Sequence, residues 1–289
     1  MKNTARYLLR ITCPGRTGLV AAITGFLADQ ECFITELSQF DDIQTGCFFC
    51  RAEFFKPDFW LSPNQLSEMF SEIGARFEMT WKFIDPSIPH RTLMLVSKFD
   101  HCLNDLLYRK QTGELNIAVT TVASNHPDLE PLARFHQAPF EVLPTGQSKL
   151  ATKAAQEDRI RDLIDAHDVE LVVLARYMQV LSDGLCQELA GRCINIHHSF
   201  LPSFKGARPY HQAFERGVKA IGATAHYVTA DLDEGPIIDQ EVARVDHTFG
   251  PDQLLATGRN VENYALSRAV KAHSEHRVFL NGHKTVVLK

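Results

Sequence analysis

The first part of the chain alternates between two hydrophobic periods, one of two residues and one of about 3.6. Residues 6–12 (RYLLRIT) read as a strand, stopped by Cys13-Pro14-Gly15. Apolar residues then recur at Leu19, Ala22, Ile23, Phe26 and Leu27, a spacing that predicts a helix with one buried stripe. Two further strands are predicted over 32–40 (CFITELSQF) and 47–55. Ser62-Pro63, a capping side chain followed by a residue suited to the first helical position, opens a second helix bearing Leu66, Met69, Phe70, Ile73 and Phe77. A strand over 79–84 (MTWKFI) completes the order βαββαβ, the ferredoxin-like arrangement, with four antiparallel strands and both helices on one face.

Asp85-Pro86-Ser87-Ile88-Pro89-His90 is polar and proline-punctuated, the composition of a linker. Beyond it the pattern changes. Apolar runs over 92–97, 115–122, 140–142 and 171–175 alternate with helical segments over 101–110 and about 150–165, and a short strand at Cys193 and strands over 220–228 and 237–245 follow. Near-continuous apolar strands separated by helices imply a mostly parallel, Rossmann-like sheet covered on both faces, with ligands bound beyond the carboxyl ends of its strands. The expectation is an α/β chain with a ferredoxin-like domain over 1–84, a linker over 85–91 and a second domain over 92–289.

Composition narrows the partners. The 289 residues are 45% hydrophobic and 22% charged, which excludes disorder and fibres. A net charge of -5 without a run of five like charges gives no footprint for nucleic acid or an anionic membrane. No apolar stretch approaches the roughly 18 residues of a membrane span, and Met1-Lys2-Asn3-Thr4-Ala5-Arg6 leads into a short amphipathic strand, so a cytoplasmic protein is expected. Seven cysteines, an odd number scattered over a long chain, argue for reduced thiols. Cys47 and Cys50 form a C-x-x-C, but in a strand a separation of three sends the sulfurs to opposite faces.

The densest polar cluster is Cys193-Ile194-Asn195-Ile196-His197-His198-Ser199-Phe200-Leu201-Pro202. Strand period two puts Asn195 and His197 on one face, an amide donor beside an imidazole. Asp231-Leu232-Asp233-Glu234-Gly235-Pro236 supplies acids in a turn between two strands that can fold back to the sheet end. A lone Asn or His at a strand end is more often a packing residue; two on one face before a proline-bearing loop favour catalysis. By themselves the three acids are equivalent. His197, His198, His211 and His226 show no H-E-x-x-H or similar spacing, and adjacent histidines on a strand point apart, so no metal site is expected.

Asn-Ile-His-x-Ser-x-Leu-Pro followed by Leu-Asp-x-Gly-Pro resembles the formyltransferase family that uses 10-formyltetrahydrofolate. The run from Asn195 through Lys205-Gly206-Ala207-Arg208-Pro209-Tyr210-His211-Gln212-Ala213 to Asp233 is most similar to the deformylases of that family. Residues 1–84 resemble an ACT domain, with Pro14-Gly15-Arg16-Thr17-Gly18-Leu19-Val20 at the first turn. The resemblance implies Asn195, His197 and Asp233 as catalytic residues. It implies a pterin pocket formed by Met178, Gln179, Val180 and Leu181, with the main chain of Gln179 and Leu181 bonding the ring, closed by Ala230, Asp231 and Leu232, with His198 as a further pocket residue. From the pattern alone, Met178, Val180 and Leu181 are equally readable as core.

Chemistry supports the triplet: Asn195 and a protonated His197 suit an oxyanion, and a neighbouring carboxylate favours the charged imidazole and can accept the proton of an attacking water. No metal or redox cofactor is needed. Transformylases of the family carry a glycine-rich phosphate loop after their first strand. Here Ser97-Lys98-Phe99-Asp100-His101-Cys102-Leu103 has no glycine and an added acid, which leaves water as the nucleophile. The expected activity is hydrolysis of 10-formyltetrahydrofolate to formate and tetrahydrofolate, supplying formate for one-carbon and purine metabolism. Formyl transfer to an amine such as glycinamide ribonucleotide, and a non-catalytic amino-acid-sensing folate binder, are the alternatives. The ACT resemblance implies a small amino-acid effector at Gly15, Arg16, Thr17 and Gly18, and the open face and edges of a four-stranded sheet, with Phe48, Phe49, Phe54 and Phe55 too many for one small core, predict a homo-oligomer, dimer or tetramer.

Overall fold

The computed structural model describes residues 6–56, 61–143, 152–198 and 209–289, which divide into two compact units. Met1–Ala5, the start of the helix expected from 150 and the motif segment Ser199–Arg208 lie outside the described residues.

The first unit runs β1 (Arg6–Pro14), α1 (Leu19–Asp29), β2 (Phe33–Asp42), β3 (Cys47–Phe55), α2 (Pro63–Arg76) and β4 (Thr80–Ile84). Its antiparallel sheet has the order β2-β3-β1-β4 of the ferredoxin-like fold. Alternation selects one face of the sheet for the helices: Tyr7, Leu9, Ile11 and Cys13 of β1 and Phe48, Cys50, Ala52 and Phe54 of β3 pack with Leu19, Ile23, Phe26 and Leu27 of α1 and Leu66 and Phe70 of α2. Helix α2 starts where Ser62 and Gln65 cap each other: Ser62 Oγ accepts from Gln65 N at 3.3 Å and Gln65 Oε1 accepts from Ser62 N at 2.9 Å.

The second unit, Pro89–Ser274, runs β5 (His90–Val96), α3 (His101–Gln111), β6 (Ile117–Ser124), α4 (Glu130–Phe135), β7 (Phe140–Val142), α5 (Lys153–Ala166), β8 (Leu171–Leu174), α6 (Asp183–Glu188), β9 (Cys193–His197), α7 (Pro209–Glu215), β10 (Ala220–Tyr227), β11 (Ile237–Arg244) and α8 (Pro251–Ser274). The seven-stranded sheet has the order β11-β10-β9-β8-β5-β6-β7, with its pairs parallel from β9 to β7 and antiparallel for β9-β10 and β10-β11. The central strands carry the fully buried runs Leu93–Val96 and Leu171–Leu174, as a sheet covered on both faces requires. Among the described residues no helix is long and apolar enough to cross a membrane.

Two expected boundaries change. His90 and Arg91, assigned to the linker, begin β5, because pairing with β6 starts at His90↔Ile117. More consequentially, Glu275–Lys289 belongs to the first unit rather than to the second domain. Its hairpin, β12 (Val278–Asn281) and β13 (Lys284–Val287), covers the sheet face opposite the helices. Phe279 packs on Phe49 with ring centroids 5.6 Å apart, Arg10 lies over the Phe279 ring and donates to Val278 O at 2.6 Å, Arg51 donates to Glu275 O at 3.1 Å, and Asn281 donates to Asp42 at 2.6 Å. The phenylalanines of β3, read as too many for one small core, are thus mostly buried by their own chain: Phe48 and Phe54 under the helices, Phe49 under the hairpin. Cys47 joins the hairpin-side cluster and Cys50 the helix-side one, so the two thiols do face apart.

Removing the Phe279 ring deletes a fully buried aromatic and the platform of Arg10. Phe279→Ala is expected to destabilise the first unit by about 3–5 kcal/mol in denaturant unfolding, whereas Leu280→Ala, half-exposed on the same strand, stays within about 0.5 kcal/mol of the parent.

Candidate active site

The second sheet reverses its strand order between β5 and β8, the point at which such sheets open a crevice beyond their carboxyl ends. Ser97 leaves β5 there, residues 175–182 leave β8, and Asn195 and His197 end β9 on one face while Ile194 and Ile196 are buried on the other. The antiparallel neighbour β10 sets His226 directly opposite Asn195, and a bulge between Ala225 and His226 alters the local pairing with β11.

The turn between β10 and β11 folds back onto this face. Asp233 Oδ2 comes to 3.1 Å from His197 Nδ1, and its Oδ1 lies 3.7 Å from His226 Nε2. Two backbone features produce the reach. Asp233 has φ 59, in the left-handed region that a non-glycine residue adopts at a cost. Gly235 passes so close beneath the Tyr227 carbonyl that a Cβ there would lie 1.7 Å from its oxygen. The Asp-x-Gly spacing is therefore a geometric requirement.

His226 is buried, and its Nδ1 lies 2.9 Å from the Tyr227 carbonyl, an acceptor only, so Nδ1 carries a proton while Nε2 faces Asn195 Nδ2 at 3.3 Å. Burial opposes charge on Asp233, but the close His197 imidazole at 3.1 Å and the nearby His226 ring outweigh it and hold its carboxyl well below the usual carboxylate range.

A second cluster adjoins the first. Arg176, also left-handed at φ 64, donates through Nη1 to His198 Nδ1 at 2.6 Å and lies over the Phe99 ring. Its Nε is 3.4 Å from Glu262 Oε2, and Glu262 also meets His101 Nε2 at 2.7 Å and accepts from Tyr210 OH at 2.6 Å. Burial drives the Glu262 carboxyl up, but His101, Arg176 and Tyr210 together bring it below its ordinary value. The expectation that His197 and His198 point apart is corrected: His198 has left the strand, and the two rings stack at 5.1 Å and 18°. Burial first, then the charges of Arg176 and His197, push His198 down to about 4.

Of the residues expected to line a pterin pocket, Met178 and Val180 are exposed apolar groups, while Leu181 is buried in the core. Met178 N donates to Ser97 Oγ at 3.0 Å, which fixes this segment against the end of β5. Ala230, Asp231 and Leu232 are exposed in the turn beside Asp233. In the first unit, Gly15 N donates to Gly46 O, Arg16 pairs with Glu78 at 2.5 Å, and Gly18, with φ 92, caps α1. His101, Cys102 and Glu262 hold potential metal-ligand atoms within 4.8 Å, but the Cys102 thiol is pushed well up by burial and Glu262 is committed to Tyr210 and Arg176.

Sequence reasoning treated His226 only as a metal candidate and did not find Glu262. Its signal was present: in α8, Leu254, Gly258, Val261, Ala265, Leu266 and Ala269 form the buried stripe, and Glu262 is a carboxylate within it.

The formyl transferase family model matches residues 90–270. A formyltetrahydrofolate deformylase of Corynebacterium sp. is 51% identical with all of both chains aligned, and that of Escherichia coli is 40% identical over the same full span. The crystal structure of formyltetrahydrofolate deformylase from Burkholderia mallei superposes with a TM-score of 0.93 at 50% identity, covering 99% of this chain and 100% of that one. Glycinamide ribonucleotide transformylase 1 from Symbiobacterium toebii superposes with a TM-score of 0.65 at 28% identity, covering 72% of this chain and 97% of that one. The chain belongs to the formyltetrahydrofolate deformylases of the formyl transferase family.

Proposed function

We propose that this enzyme hydrolyses 10-formyltetrahydrofolate to formate and tetrahydrofolate, with Asn195, His197 and Asp233 as its catalytic residues. The observation that carries the assignment is the 3.1 Å pair of His197 Nδ1 and Asp233 Oδ2 beside Asn195. The formyl oxygen accepts hydrogen bonds from Asn195 and the His197 imidazolium as water adds to the formyl carbon. Asp233 accepts the proton of that water. Asp233, or a water it holds, then delivers the proton to N10 as the C–N10 bond breaks. The exposed Met178 and Val180 provide apolar wall for the pterin, with the main chain of Gln179 and Leu181 bonding the ring, His198 at the pocket edge and the turn of Ala230, Asp231 and Leu232 opposite. No metal or redox cofactor takes part.

Water rather than an amine is the acceptor. The segment after β5 places Phe99 under Arg176 and His101 against Glu262, so side chains and an ion pair occupy the stretch in which transformylases of the resemblance cradle a phosphate.

The first unit is an ACT-like regulatory domain that binds a small amino acid at Gly15–Gly18 and pairs with a second copy. With one sheet face under helices and the other under the C-terminal hairpin, support for pairing comes from edge strand β2, where Phe33 and Phe40 are exposed.

Purified protein is expected to release formate from 10-formyltetrahydrofolate without any amine; formate that appears only with glycinamide ribonucleotide would contradict hydrolysis. His197→Ala and Asp233→Asn should each lower kcat at least about a hundredfold with KM little changed, and Asp231→Asn should be milder. Gly235→Ala should match Asp233→Asn in kcat while circular dichroism stays native, because the added methyl displaces the turn from beneath Tyr227. In sedimentation, Phe33→Lys should shift the protein to a smaller assembly; an unchanged oligomer would place the contact elsewhere.

A further inference from the structure

Five buried or half-buried polar side chains from separate elements form one connected cluster beside His197. Glu262 sits on α8, His101 on α3, Tyr210 on α7, Arg176 after β8 and His198 after β9. A charged pair is costly to bury and is retained only where its hydrogen bonds are complete or its presence serves a further purpose. Arg176 adds to this a left-handed backbone.

We propose that Arg176 is a positioning residue: clamped by Glu262, it holds His198 as the neutral Nε2–H tautomer against the ring of His197, so that the stacked pair carries positive charge on His197 alone. The inference rests on the catalytic reading of His197. A guanidinium has donors and no acceptor, so the His198 Nδ1 that faces Arg176 Nη1 at 2.6 Å presents a lone pair, and the remaining ring proton is on Nε2. A proton added to Nδ1 would break this bond and set an imidazolium against the guanidinium. It would also put a second cation 5.1 Å from His197 in a nearly parallel stack, competing with the charge that stabilises the oxyanion.

The groups facing His198 are Arg176 after β8, His197 in β9, Asp233 in the β10–β11 turn and Glu262 in α8; burial and the two cations outweigh the two carboxylates. Glu262 keeps the guanidinium in place and offsets its charge. Glu262 is itself held by His101 and by Tyr210, whose ring seats against Gly258 one helical turn earlier, where a Cβ would lie 2.1 Å from it.

Two measurements on the full-length protein test the proposal. Histidine ring nitrogen shifts, recorded without substrate from pH 8 to 5, should show His198 neutral and protonated on Nε2 throughout, whereas in Arg176→Met its midpoint should rise into that range yet stay below the ordinary histidine value of about 6.5, because burial and His197 remain. Because this reading needs no turnover, its failure is separable from failure of the hydrolysis reading. In kinetics, Arg176→Met should give kcat an acid limb that the parent lacks, at the midpoint found for His198 in that variant, with KM little changed. Adding His198→Gln should abolish that limb, since the titrating group is then gone. Glu262→Gln alone should show no such limb, because the lost carboxylate favoured the charged form of His198 while the guanidinium remains. Should that variant fold poorly with an unpaired guanidinium, Arg176→Met/Glu262→Gln removes both charges and is expected to show the limb at a lower midpoint than Arg176→Met. A His198 that is protonated in the parent at pH 6, or an acid limb that survives His198→Gln, would overturn the proposal.

Discussion

A carboxylate held 3.1 Å from an imidazole by a left-handed backbone is the contact on which the candidate site is organised. Asp233 lies in the turn between two strands, and extended chain alone would carry it away from β9. Its positive φ and the close passage of Gly235 under the Tyr227 carbonyl turn the segment back. The bulge at His226 and the direct pairing of that residue with Asn195 place a third polar side chain on the same face. Local strain is accepted where it brings Asp233 to His197, while the strands beneath, Leu93–Val96 and Leu171–Leu174, are ordinary buried sheet.

Charge is distributed with the same constraint. Asp233 remains ionised because two histidines favour its anion, and Glu262 remains ionised although buried because His101, Arg176 and Tyr210 do the same for it. Arg176 joins the two groups through His198. In the first unit the polar contacts are structural: Arg10, Arg51 and Asn281 tie the C-terminal hairpin to the sheet face that the helices leave open, and Phe279 fills the apolar gap over Phe49. The chain therefore completes the core of its first unit only with its last fifteen residues, 275–289.

Local signals made much of this legible before the fold was known. Period-two alternation in β1 and β3, the 3.6-residue stripe of α1 and the Ser62-Pro63 start of α2 depend on neighbours in sequence, and the sequence reading and the structure agree on them. Asn195 and His197 share a face for the same local reason. Three features depend on contacts distant in sequence and were missed or misread. The C-terminal hairpin reads as a continuation of the second domain until Phe279 is seen against Phe49. Glu262 is one acid among many until α8 is known to bury that stripe. His198 points away from His197 only if the strand continues through it, and Arg176 draws it out instead.

The proposed chemistry turns on delivery of water to a formyl carbon at the face bearing Asn195, His197 and Asp233. The most direct measurement is a reaction with 10-formyltetrahydrofolate in water enriched in oxygen-18, with the formate analysed by mass. Formate carrying one solvent oxygen, formed at the rate at which tetrahydrofolate appears, is expected. Formate without solvent oxygen, or tetrahydrofolate released while the formyl group is recovered on an amine, would contradict the proposed chemistry.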